Sequence, residues 1–507
     1  MVQMSSDNPI AKFENVYSRL TRTLANYVPE SFVAFTTRRL RKIEQKHPSE
    51  YRGHYPWNYL LLLKLVWIYG DHFPYKAISE AGLNSLLGEL FELGEIKSPF
   101  LVEPNINGIF KFLRTTANQQ FWLQRGIGKW NIARQYIMLR DLPENNLVRI
   151  TVRQDLGLDV LQIFQYLFLI WSWLRLTPDN YQFLPDSIFQ NLDFEQSSID
   201  SFLEIVSLNS ANVKQYLIQN APVRSQYLQT FEKSPFIMKP ILKLKNGSFL
   251  CYSEKVMQQT INTFIYHSIN KIGGSRPKEA FAEMLEGYIA KGLESFKIPF
   301  IRETELKKLF LRTKVTDLLI EDESCNLLIE IKSHEIGEDV RVYPANTQLS
   351  HELQDNVTKA VKQAYELLTA IHSSSMQKST KTNYLIVITY TQFNMGPGRQ
   401  IFDEFLYKEI NPFLQQKSID QNLLLPEHIF VLDIEEWDML VSLVGSNKAN
   451  FSQILEKAVE NNSKGNTMKF HFGQHLNEFI GDNESFPLLD EGFGAISGSL
   501  LSHFKIV

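Results

Sequence analysis

Cysteine is scarce: Cys251 and Cys325 are the only two in 507 residues. So few cannot build a disulfide framework or a four-thiolate zinc site, and they point to a reducing compartment. A bound metal ion is therefore expected to use oxygen ligands. Excess positive charge is missing as well. Lys plus Arg total 52 against 56 for Asp plus Glu, a net charge of −4, so any nucleic-acid surface has to be local. Long apolar runs are also lacking. The two most apolar stretches, 59–69 and 156–174, are interrupted by Lys64 and by Asp159, Gln162 and Gln165. A spanning helix needs about 20 mostly apolar residues, so both read as buried helices and no membrane association is expected. The first residues carry Asp7 and Glu14 and no apolar centre followed by small residues. No secretory signal is expected there, and a cytoplasmic location is. Gly126-Ile127-Gly128-Lys129 lacks the first Gly and the closing Ser or Thr of a phosphate loop. His471 and His475 stand four apart without an evident third zinc ligand.

What is present is an ordinary globular composition, 44% hydrophobic and 21% charged, enough for two to four domains at roughly 150 residues each. From about residue 10 to 232 apolar residues recur at three and four, as in Val160, Phe164, Leu167 and Trp171, which predicts a helical region. Near Ser234 the pattern begins to alternate, and Asn246-Gly247 is a hairpin turn signal. A mixed α/β domain is expected over 233–458. Its elements are a helix at about 278–294, strands at 298–305, 313–320 and 326–333, a helix at about 352–372, and strands at 384–389 and 429–432. The stretch 459–507, with Asn461-Asn462-Ser463 and weak periodicity, reads as a tail or small appendage. The fold class is α+β or α/β, a helical N-terminal region followed by a mixed-sheet domain.

The chemistry-bearing segment lies in that second domain. Glu330 and Lys332 sit two apart on an apolar strand and so share one face. An isolated buried charge costs several kcal/mol, so both need partners or a ligand. Asp317 repeats the anomaly on the preceding strand, and a hairpin pairing would bring Asp317 and Glu330 to one end of the sheet. Two carboxylates with an ammonium beside them suit a hard divalent cation such as Mg²⁺.

Asp317 followed by Glu330-Ile331-Lys332 resembles the Asp…(Asp/Glu)-x-Lys signature of the PD-(D/E)xK, or restriction-endonuclease-like, nuclease superfamily. The order of helix, hairpin, helix and strand from 278 to 389 is similar to that fold. The resemblance implies a metal-dependent nuclease, with Asp317 and Glu330 holding Mg²⁺ or Mn²⁺ and Lys332 orienting the attacking water. Among Glu279, Glu283 and Glu286, it places the helical acid at Glu286, with Glu283 as second choice, because Leu285, Ile289 and Leu293 give Glu286 the family's apolar spacing. Gln363 would supply a polar contact. The chain departs from the family at Thr316, which replaces the Pro, and at Tyr365, only two residues after Gln363 where the family spaces them by four. His334 is expected at the rim. By analogy, joining such a domain to a large unrelated region suggests defence against phage or mobile DNA. The alternative is a nuclease fold that has lost catalysis and serves as a nucleic-acid-binding or scaffold component.

Between Glu103 and Asp141 there is no acid, while Lys111, Arg114, Arg125, Lys129, Arg134 and Arg140 interleave with Phe112, Phe121, Trp122, Trp130 and Tyr136. Cations with aromatic platforms are what single-stranded nucleic acid recognition uses, so Arg125, Lys129 and Arg134 are expected to contact phosphates of DNA or RNA. A helical core with a cationic face explains the same pattern. A partner protein on the helical region and self-association are both compatible with this organisation.

Overall fold

The computed structural model describes residues 9–71, 76–101, 106–124, 128–220, 226, 228–342, 346–374, 381–481, 485–501 and 503. The fold is mixed α+β, mostly helical with two small sheets. It divides into two compact units, Met1–Gly273 with Phe493–Val507, and Gly274–Gly492.

In the first unit, Pro29 and Pro56 open helices Pro29–Glu44 and Pro56–Tyr69, positions where a missing N–H costs nothing. The second of these has no polar face and is buried on most of its surface, as expected of a helix apolar all round. Its one charge, Lys64, pairs with Glu232 at 2.7 Å, both side chains 3% exposed. The helix Val160–Leu176 starts at an Asp159/Gln162 capping box, and Arg149 and Arg153 hold Asp159 from outside. Among the described residues no single helix is long and apolar enough to cross a membrane. This helix and Leu147–Leu156 pass that test only as a pair bent by 68°.

A four-stranded sheet completes the first unit: β1 (Gln182–Phe183), β2 (Ser207–Asn209), β3 (Ile241–Lys243) and β4 (Phe249–Cys251), in the order β1-β4-β3-β2. The turn at Asn246-Gly247 forms, with Gly247 at φ 83 and β3 antiparallel to β4. It closes this sheet rather than opening the second domain. Leu242, Leu250, Tyr252 and Val256 bury in one cluster with the helices that begin the chain, so the first unit runs on to Gly273, past the boundary expected at 232. Residues 459–492 belong to the second unit, where Phe486 packs on Phe296.

The second unit is built on a five-stranded sheet, β5 (Ile301–Arg302), β6 (Leu318–Glu321), β7 (Cys325–Lys332), β8 (Thr382–Thr389) and β9 (Ile429–Asp433), in that spatial order. β5, β6 and β7 are antiparallel neighbours, whereas β7, β8 and β9 run parallel. The central strands are near-continuous Leu, Ile and Val and are buried along their length, the pattern of strands covered on both faces. Helix Ser275–Ser295 packs against β7 through a face including Leu285, Ile289 and Leu293, all 0% exposed. Helix Lys359–Ser373 makes the crossover from β7 to β8 and buries Val361, Leu367 and Leu368. Two expected strands are shorter. The run at 298–305 yields two residues before a short helix, Glu303–Leu309, begins, and the run at 313–320 enters the sheet only at Leu318.

Candidate active site

The late start of β6 is part of the site. The β6/β7 register pairs Leu318 with Ile329, and carried one residue further it sets Asp317 opposite Glu330. At that step the Asp317 side chain replaces backbone as acceptor, its Oδ2 taking the Ile331 N–H at 2.6 Å. The Asp317 carbonyl accepts from Glu303 N at 2.8 Å, and Thr316 Oγ1 donates to Leu318 O at 3.2 Å. Gln363 Nε2 donates to Val315 O at 2.9 Å, which ties the approach to Asp317 to the crossover helix. Asp317 and the end of β7 thus lie at the carboxyl ends of the parallel strands, where open α/β sheets place their ligands.

Glu330 is 2% exposed. Its Oε1 accepts from Lys332 Nζ at 2.6 Å, while its Oε2 is buried and has no hydrogen-bond partner. Gln363 Oε1 is likewise buried and unpartnered. Burial, reinforced by repulsion from Glu330 and Glu286, pushes the Asp317 carboxyl up to about 7, against the opposing pull of the Ile331 N–H and Lys332. Glu286 is raised in the same sense, first by desolvation of its carboxyl and then by Glu303, Glu283 and Glu330.

Both Glu283 and Glu286 are exposed; the charge of Glu286 reaches Asp317, and Glu283 acts on Glu286. Among the described residues no group of three or more His, Cys, Asp or Glu side chains could hold a metal ion. Asp317, Glu330 and Glu286, the expected ligand set, are therefore linked by charge without forming such a group. Tyr365 lies elsewhere, 1% exposed and donating to Leu424 O at 2.6 Å. His334 is exposed and meets Glu352 at 3.3 Å. His475 is buried, its pKa pushed down to about 4 by desolvation. Glu303 is the contributor that pattern reading misses. Its N–H holds the Asp317 carbonyl and its charge bears on Glu286, and its only sequence signal is its place at the start of a helix.

The basic stretch of the first unit fares differently. Arg134 is 3% exposed and Arg114 is 8% exposed, and the helix Lys129–Arg140 buries every residue from Asn131 to Leu139. Arg134 is thus a core residue, and its expected phosphate contact is corrected. Lys129 is exposed, and Arg125 lies outside the described residues. Trp122 and Tyr136 are buried too, so both serve the core. No family model matches the chain, and no curated protein matches it.

Proposed function

We propose that the second unit is a metal-dependent nuclease that hydrolyses nucleic-acid phosphodiester bonds at Asp317, Glu330 and Lys332. The observation that carries this reading is the pairing of Asp317 across from a buried Glu330 that has one oxygen on Lys332 and the other without a donor. A divalent cation fits this pair, because it would satisfy the orphaned oxygen and offset both the desolvation and the Glu330 repulsion that raise Asp317. Mg²⁺ or Mn²⁺ would be held by Asp317 and Glu330, with water and substrate oxygens completing a shell that needs only one or two carboxylates. When bound, such an ion neutralises the phosphate and lowers the pKa of a coordinated water.

The chain's own residues do the rest. Lys332, 15% exposed in its side chain, orients Glu330 and keeps an ammonium beside the position where phosphate charge accumulates. Glu286, its carboxyl raised first by desolvation and then by Glu303, Glu283 and Glu330, stands at the rim of the site as the helical acid. Gln363 fixes the Val315 carbonyl and thereby Asp317. Incubating the purified protein with Mn²⁺ and a panel of single- and double-stranded DNA and RNA tests this reading: cleavage of at least one substrate, abolished by EDTA, is expected.

A second reading, a nuclease fold that binds without cutting, draws on the Lys332–Glu330 pair, which already neutralises one carboxylate. It also draws on the want of a three-ligand group among the described residues. In the same panel it predicts binding with no cleavage in either metal.

A further inference from the structure

The second unit carries a basic strap that leads directly into Asp317. From Leu306 to Thr316 there is no acid, and Lys307, Lys308, Arg312 and Lys314 supply four positive charges. Lys307 is committed to Glu303 at 2.7 Å. Lys308, Arg312 and Lys314 are exposed. Arg312 adopts φ 67, a left-handed conformation that is uncommon for a side-chain-bearing residue and persists where surrounding structure enforces it. A turn closed by Thr313 N on Phe310 O presents Leu311 to solvent at 78% exposure and Leu309 at 54%. Buried Val315 and Thr316 and the Gln363 hydrogen bond anchor the end of the strap. Lys314 is three residues from Asp317, so their Cα atoms are at most about 10 Å apart.

We infer that this strap grips the substrate: Lys308, Arg312 and Lys314 contact nucleic-acid phosphates, and Leu311 lies against bases or sugar. The inference rests on the nuclease reading for its choice of ligand. Three unneutralised cations beside a site of buried carboxylates recruit a polyanion to a place that would otherwise repel it. An exposed apolar side chain among them matches the wedges that nucleic-acid-binding proteins insert between base steps. An anionic membrane is the poorer occupant, since two leucines at about 1.5–3 kcal/mol each give only shallow insertion.

The test uses the full-length protein in EDTA, with fluorescent single- and double-stranded DNA and RNA 20-mers titrated over a salt series. The variant K308A/R312A/K314A should bind every sequence more weakly, with the dependence of log K on log salt reduced by about 2–3 units, close to one per lost phosphate contact. K308Q/K314Q, which leaves the left-handed position alone, should lose about 2 units. L311A should weaken binding with the slope unchanged. Wild-type affinity and slope in both charge variants would overturn the inference. So would strap-dependent binding to phosphatidylserine vesicles with none to nucleic acid. Strap-dependent binding of nucleic acid by a protein that cuts nothing in Mn²⁺ would uphold the strap and overturn the nuclease reading.

Discussion

Replacing Asp317 with Asn removes the ionisation that the site resists most strongly, and its consequence can be worked out from the structure. The Asp317 carboxyl titrates near 7 in the fold against an ordinary 3.8. Between those values the folded protein holds a proton that the unfolded chain has released, so its stability falls as pH rises through the window and levels off above about 7. The gap of about 3 pH units at about 1.4 kcal/mol each gives at most about 4 kcal/mol. Asn keeps an acceptor for the Ile331 N–H and carries no charge. Metal-free D317N should therefore match the parent near pH 4, exceed it increasingly up to about pH 7, and hold a level advantage above that. Urea unfolding in EDTA at half-unit pH steps measures the difference. Parallel profiles, or a parent that gains on D317N as pH rises, would show that Asp317 is not held in an acidic, desolvated cluster.

Glu330→Gln should move the Asp317-linked loss of stability to lower pH, because the largest like charge acting on Asp317 is gone; the inflection of the same unfolding series reads it. Adding Mn²⁺ at pH 7.5 should raise the melting temperature of the parent and not of D317N or E330Q, since a ligand stabilises only the state that binds it. Arg134→Ala should lower stability by more than about 1 kcal/mol, as loss of a buried polar partner does, while leaving nucleic-acid affinity and its salt slope unchanged in the titrations above. Tyr288→Phe removes a 2.9 Å hydrogen bond to Asp438, a carboxylate 1% exposed. About 1.5–3 kcal/mol of stability should go with it, measured by urea unfolding.

The parts of the site that were legible from sequence are those where local pattern and tertiary role agree. Leu318–Glu321 and Cys325–Lys332 are apolar runs around a polar turn, so charges at Glu330 and Lys332 stood out against them. The spacing of Leu285, Ile289 and Leu293 likewise set the buried face of the helix that carries Glu286. What failed depended on partners distant in sequence. The Asn246-Gly247 turn fixes a hairpin but not the sheet it joins, which was decided by where Leu242 and Leu250 could be buried. Arg134 looked like surface because charge usually is, yet its helix is packed on all sides. The strand expected from 313 starts only at Leu318, because the Asp317 side chain, and not a backbone carbonyl, accepts the next ladder hydrogen bond.

The central claim is that Asp317, Glu330 and Lys332 form one hydrolytic site, and single-turnover cleavage by matched parent, D317N and K332A proteins in Mn²⁺ tests it most directly. With each variant shown to be folded by circular dichroism, the parent should cut nucleic acid, and both variants should lose at least a hundredfold in rate, in line with removal of a group that acts on the reacting phosphate. Variants that cut as fast as the parent would contradict it.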